Sequence, residues 1–234
     1  MQSTNIPPTN HIKVLDNGQG WIGLIDHMGT ESTVTNAARV SFGRMKEVFD
    51  EKDEILLKYL IDNKHLTPLE HVKFQFSVHC PLFVRGQWHR HRAGWSYNEI
   101  SRRYTEVDME FYTPHVFRTQ SNDNKQASID GSVIENNDDA YNAYNETVGK
   151  CVETYNKLLE MGVCKEQARG ILPQTMFTTF WATVDLRNLL HFIELRDDEH
   201  AQKEIREYAR AMKELIRPYV PHVVEYFESM QKKA

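Results

Sequence analysis

The stretch Phe74-Gln75-Phe76-Ser77-Val78-His79-Cys80 places an apolar residue at every second position. Successive side chains on a strand point to opposite faces, so this period marks a β-strand with one buried face. Pro81 follows where a first helical residue would stand, and Leu82, Phe83 and Trp88 line a predicted helix running to about His91. On the N-terminal side, residues 13–15 and 21–25 read as short strands around a Gly18/Gly20 turn. Residues 33–40 and 54–61 read as helices, the second with Ile55, Leu56, Tyr59 and Leu60 as its apolar stripe. On the C-terminal side, residues 92–104 read as a loop or short irregular helix, with Ser96 and Glu99 at capping-box spacing. Residues 118–139 hold almost nothing apolar and read as a surface loop or flap. The remainder reads as helical: 140–161 closed by Gly162, 165–171 before Pro173, 183–196 with Leu186, Leu189, Leu190 and Ile193, and 199–216 before Pro218. Strands come early and helices late, so the class is α+β, or α/β with a small sheet.

The chain has 234 residues, which suits a single domain over 1–234. Hydrophobic residues make up 40% and charged residues 26%, the balance of a soluble globular protein. No apolar run approaches the roughly 20 residues that a bilayer span needs. The first ten residues are polar, carry two prolines and lack a basic start, which does not describe a secretory signal. A cytoplasmic location is therefore expected. Cys80, Cys151 and Cys164 are an odd number at wide spacings and suggest neither a disulfide framework nor a zinc ribbon. The net charge of −5 means that any bound anion must be met by a local positive cluster.

Such a cluster exists. Gln87-Trp88-His89-Arg90-His91-Arg92, Ser96-Tyr97-Asn98-Glu99 and Ser101-Arg102-Arg103-Tyr104 put four arginines, two histidines, two serines and a carboxylate within 18 residues, with no lysine. Forked guanidinium donors suit a phosphate or a ring bearing several carbonyls, because they bond in pairs where lysine offers a point charge. A solvated face is one ordinary reading of four arginines on a loop. A nucleic-acid arm is another, with Trp88, Trp95, Tyr97 and Tyr104 interleaved for stacking. His89 and His91 lack a third ligand at a recognisable spacing, so no metal is expected. None of these readings accounts for Ser, Asn and Glu falling at fixed intervals behind the basic cluster.

Arg90-His91-Arg92, followed by Ser96, Asn98, Ser101 and Arg103, resembles the signature of the flavin-dependent thymidylate synthases, the ThyX family. That signature is usually written RHR, seven residues, then Ser; here eight residues separate Arg92 from Ser101, because Ala93-Gly94-Trp95 stands where two residues are usual. Residues 96–104 then keep the family spacing. Further similarities are Ala38-Arg39-Val40-Ser41-Phe42, His65 with Thr67-Pro68-Leu69-Glu70-His71, residues 81–88, Ala168-Arg169 with Leu172-Pro173, and Arg187, His191, Leu195-Arg196 and His200-Ala201-Gln202. They stand in family order over residues 12–217.

The resemblance implies a small, mostly antiparallel sheet flanked by long helices. It also implies a reductive methylation of dUMP to dTMP, in which methylenetetrahydrofolate gives the carbon, FAD is the redox cofactor and NADPH the reductant. By the same match, Gln87, Arg90, Glu99, Ser101, Arg103, Arg169 and Arg196 are expected to hold dUMP. Ser41, Thr67, Glu70, Arg90, His91, Arg92, Asn98, Glu99, Arg187, His191 and Leu195 are expected to hold FAD. Arg196, Ser101, Arg90 and His65 are the catalytic candidates, Ser101 as a hydrogen-bonding group, since no base partner is evident. The alternative for Glu99 is a capping residue, and for His65 read alone an ordinary helix C-terminal residue. Asp185 stands where the family often has Asn, which would bring a carboxylate near the flavin edge. The three cysteines read as packing residues, leaving none for catalysis. There is no Gly-x-Gly-x-x-Gly after a strand, so FAD must be held by side chains, and the family implies sites shared between subunits of a homotetramer. No nucleic acid and no membrane are expected as partners.

Overall fold

A computed structural model describes residues 6–231, apart from 17, 106–108, 123, 126 and 130. The reading of the first residues as a polar start therefore falls partly outside the described residues, as does part of the 118–139 loop.

Among the described residues five strands, β1 (His11–Val14), β2 (Gly20–Met28), β3 (Lys73–Pro81), β4 (Trp95–Glu99) and β5 (Phe177–Asp185), form one sheet in the order β1-β2-β3-β5-β4. Every neighbouring pair is antiparallel. Around it lie α1 (Glu31–Arg39), α2 (Glu51–Asp62), α3 (Leu82–Trp88), α4 (Asn137–Glu160), α5 (Lys165–Ala168), α6 (Leu186–Arg196), α7 (Lys203–Ile216) and α8 (Pro221–Gln231). The fold is α+β with a small antiparallel sheet, as expected.

The alternation in β3 is real: Phe74, Phe76, Val78 and Cys80 are all fully buried. The opposite face differs from expectation, because Ser77 and His79 are buried as well. β3 lies in the middle of the sheet, and there the imidazole of His79 is stacked between Trp21 at 5.5 Å and Phe177 at 4.6 Å. Toward the end of this central strand both faces are covered, so the polar half of its alternation is buried there as well.

The expectation of helix throughout the C-terminal half is corrected at Phe177–Asp185. This segment is β5, paired with β3 from Lys73↔Asp185 to Pro81↔Phe177. Its composition (Phe, Thr, Thr, Phe, Trp, Ala, Thr, Val) is that of a strand; Phe177 to Phe180 are buried on both faces and the exposed position that follows is Trp181, so no polar-apolar alternation shows. The predicted helix over 183–196 accordingly starts at Leu186. Its apolar stripe is as expected, with Phe192 added to Leu186, Leu189, Leu190 and Ile193. The loop or irregular helix expected at 92–104 is corrected likewise: Trp95–Glu99 is edge strand β4, paired with β5 from Trp95↔Val184 to Glu99↔Phe180. An extended backbone cannot form a capping box, so Ser96 and Glu99 are strand residues.

Pro81 closes β3 and caps α3, and the helix stops at Trp88, short of His91. In α2 the buried residues are Asp53, Leu57 and Leu60, whereas Ile55 and Tyr59 point outward. Asp53 is clamped by Arg39 and by Lys46 at 2.7 Å, and this buried carboxylate turns the helix away from the expected stripe. Gly162 does follow the end of α4, with φ +85°. After Pro218 the chain forms a further helix, α8, which buries Val223 and Val224 and lies beyond the helices expected from the sequence. Cys80 is buried, but Cys151 is only half-buried and Cys164 is exposed at the start of α5, so the packing assignment holds for Cys80 alone. Burial pushes the Cys80 thiol well above its usual range.

Candidate active site

The end of α3, the turn into β4 and the last turns of α6 meet around Phe192. Its ring packs 4.8 Å from Trp88, 5.3 Å from Trp95 and 4.8 Å from His91. Trp88 is fully buried, so this aromatic cluster anchors the basic cluster at residues 89–92 to the core. Arg90, His91, Arg92, His191, Leu195 and Arg196 then line a cavity of about 510 Å³, floored by Trp95 and Asn188.

Arg196 is fixed within that cavity by two hydrogen bonds. Its Nε donates to Nε2 of His91 at 2.9 Å and its Nη2 to the carbonyl of Gln87 at 3.2 Å. Burial, and then the neighbouring Arg196 and His191, hold the His91 imidazole down to about 4. His91 is thus neutral at physiological pH and accepts through Nε2, which assigns its proton to Nδ1. Burial also lowers the Arg196 guanidinium from its usual value.

The extra residue before β4 has a structural place. Gly94 has φ +71°, and a Cβ there would collide with Nδ2 of Asn188 and Oδ2 of Asp185. Asp185 is the N-cap of α6: its Oδ1 accepts from the Asn188 backbone at 3.0 Å, and the Asn188 amide donates to both carboxylate oxygens at 3.0 and 2.9 Å. The lengthened turn rests on this cap, so the Asp185 carboxylate is engaged by its own helix.

The remaining expected residues fall into two further groups on the single chain. Ser41, His65 and Thr67 line a second cavity of about 290 Å³, with His65 edge-on to Tyr59 at 5.9 Å. Glu70, on the same turn as Thr67, receives Nη1 of Arg187 at 2.5 Å. Arg187 and His191 both line an apolar cleft of about 380 Å³, which shares Asn188 and His191 with the first cavity. The third group lies at the far end of β4. There Glu99 accepts from Arg85 Nε at 3.1 Å and Thr178 Oγ1 at 2.7 Å, and Ser101 Oγ accepts from the Arg103 backbone at 3.3 Å. Arg103 pairs with Glu166 of α5 at 2.9 Å, three residues before the exposed Arg169. Asn98 is exposed on β4. The first cavity holds none of Ser101, Arg103 or Arg169. Sequence reasoning names Trp95 only as a stacking residue and passes over Asn188, Arg85 and Thr178; their alternation and capping positions carry a structural signal, but nothing that marks them as site residues.

Fold and site together define an α+β protein with a cavity lined by three guanidinium groups beside edge strand β4 of its sheet. The family model described as thymidylate synthase complementing protein (Thy1) matches residues 23–222. The flavin-dependent thymidylate synthase of Thermosipho melanesiensis is 40% identical over 215 residues, 92% of each chain. That of Thermus thermophilus is 42% identical over 217 residues, 93% of this chain and 78% of its own. The crystal structure of PolB, a UMP/dUMP methylase from Streptomyces cacaoi bound with 5-Br dUMP, superposes with a TM-score of 0.80 at 30% identity, covering 89% of this chain and 94% of that one. The chain belongs to the Thy1 family, that of the flavin-dependent thymidylate synthases.

Proposed function

We propose that the protein reductively methylates dUMP to dTMP, with methylenetetrahydrofolate as carbon donor, FAD as redox cofactor and NADPH as reductant. The observation that carries this reading is the cavity shared by Arg90, Arg92 and Arg196, a set of forked donors suited to nucleotide phosphates and uracil carbonyls. The residues present fit FAD: guanidinium and imidazole groups on an apolar floor can hold a diphosphate and a flat ring without a glycine-rich cradle. Ser41, Thr67, Glu70, Arg90, His91, Arg92, Asn98, Glu99, Arg187, His191 and Leu195 would hold it, and when bound it supplies the reducing equivalents.

Arg196, held by neutral His91, presents a fixed positive charge where negative charge develops on the uracil carbonyls. Arg90 with Gln87, and Arg103 with Arg169 and Ser101, grip the rest of the nucleotide; Ser101 donates a hydrogen bond, and no cysteine takes part. His65 borders the cavity beside Ser41 and orders the folate side of the site. The separation of these groups on one chain supports a site completed by neighbouring subunits in a homotetramer. The acidic net charge favours small-molecule partners over nucleic acid. Among the described residues no helix is long and apolar enough to cross a membrane, and a cytoplasmic location suits the reducing chemistry.

The test is to purify the protein and record oxidised-flavin absorbance before and after adding FAD, then assay dTMP formation from dUMP, methylenetetrahydrofolate and NADPH. Flavin uptake with turnover is expected. A colourless protein that never takes up FAD overturns the reading.

A further inference from the structure

Gln87 lies in the last turn of α3, where its backbone carbonyl holds Arg196. Its side chain starts a chain of hydrogen bonds that runs to the first turn of α7. Gln87 Nε2 donates to Oε1 of Gln202 at 2.5 Å, and Gln202 Nε2 donates to Oε2 of Glu204 at 2.8 Å. The other oxygen of Glu204 accepts from Nη2 of Arg118 at 2.9 Å, and Arg118 Nε donates to Ser128 Oγ at 2.8 Å. Glu204 is only 4% exposed and sits in the first turn of α7, so its carboxylate is held by the packing of that helix.

The polarity of this chain is set from its far end. A guanidinium only donates and a carboxylate only accepts, whereas a primary amide does both and can flip at little cost in shape. Arg118 and Glu204 together oblige Gln202 to turn its NH₂ group toward the carboxylate and its carbonyl toward Gln87. Gln87 must then turn its NH₂ toward Gln202, which leaves its carbonyl oxygen unclaimed by this chain of bonds. We propose that Glu204, backed by Arg118 and acting through Gln202, is a positioning residue that locks Gln87 as a hydrogen-bond acceptor for an N–H or O–H donor of the nucleotide. The inference rests on the reading of Gln87 as a dUMP-binding residue. The donor is either the uracil N3–H or a deoxyribose hydroxyl. Cytosine carries a lone pair at N3, so in the first case the same lock also rejects dCMP.

The experiment measures dUMP affinity by calorimetry, and KM and kcat separately, on FAD-loaded Glu204→Gln, Gln202→Leu, Gln87→Ala and the double variant Gln87→Ala/Glu204→Gln. Losing the lock should raise the dUMP Kd and KM about tenfold in Glu204→Gln and Gln202→Leu, the weight of one oriented hydrogen bond, with kcat within about threefold of the parent. Gln87→Ala should weaken binding similarly, and adding Glu204→Gln to it should cost nothing more, because the second residue acts through the first. A reduced preference for dUMP over dCMP in Glu204→Gln identifies N3–H as the donor; an unchanged preference identifies the sugar hydroxyl. Gln202 is exposed, so Gln202→Leu carries the test if Glu204→Gln fails to fold. Unchanged dUMP binding in Gln202→Leu and Glu204→Gln, beside a weakened Gln87→Ala, overturns the relay and leaves the nucleotide site standing. So do additive losses in the double variant. Unchanged binding in Gln87→Ala removes Gln87 from the nucleotide site and the relay with it.

Discussion

Two histidines in this molecule are held down to about 4, and they do different things with it. His79 lies in the middle of the sheet, 2% exposed, stacked between Trp21 and Phe177; its Nδ1 shares a hydrogen bond with Thr179 Oγ1 at 2.8 Å. Burial, and then the nearby Arg102, depress it, and since it is neutral its 3.6 Å contact with Glu110 is not an ion pair at physiological pH. His91 lies at the edge of the cavity, where its free lone pair points at Arg196. The same physical cause, loss of water around an imidazolium, makes one histidine a core ring and the other a support for a guanidinium. A depressed titration alone does not mark a functional residue; what the neutral nitrogen faces decides the matter.

The contrast can be broken most strongly in the core. Phe177→Ala removes a ring that is 1% exposed and is expected to lower stability by about 3–5 kcal/mol, read by urea unfolding. A loss below about 1 kcal/mol would mean that the stack carries no weight. On the cavity side, Arg196→Ala should lower dTMP formation by about 10²–10³-fold while the unfolding midpoint stays close to that of the parent. Near-parental turnover would remove Arg196 from the chemistry. Between the two regions, Gly94→Ala forces a Cβ onto the Asp185–Asn188 cap at a left-handed φ, which should cost about 1–2 kcal/mol or more in a thermal melt. Because the turn is built for the extra residue, deleting Gly94 should lower activity, and a gain would show that the longer turn impairs the site.

The smallest expected effect is on the slope of stability against pH. Both imidazoles stay neutral in the folded chain to about pH 4, while those of the unfolded chain take up protons below about 6.5. The contribution of these two histidines to stability is therefore complete above about pH 6.5 and falls as the pH drops through that window. His79→Phe should flatten this fall without changing turnover at neutral pH, whereas a slope identical to the parent's would place the acid sensitivity elsewhere.

Much of this is legible along the chain. The period of two at Phe74, Phe76, Val78 and Cys80, the stripe of α6 and the turn at Gly162 are local patterns, and local patterns survive folding because a backbone has few regular conformations. The basic cluster and the ordered motifs point to the family and its chemistry. Phe177–Asp185 escapes because its first four residues are buried on both faces and the exposed position after them is a tryptophan, so no polar-apolar alternation shows, and Trp95–Glu99 because its polar residues look like a loop until a partner strand is present. The stripe of α2 departs from expectation because a buried Asp53, held by Arg39 and Lys46, outweighs two exposed apolar residues.

By itself, then, the order of residues determined which segments alternate, where helices stop, and which forked donors and acceptors the site has to work with. Only the tertiary structure decided that β5 lies between β3 and β4, that Arg196 donates a hydrogen bond to His91, 105 residues away, and that Glu204 reaches Gln87 through Gln202. The reason is that hydrogen bonds and burial act across space: a residue's type fixes what it can donate or accept, but its partner is chosen by the packing of elements far apart in the chain.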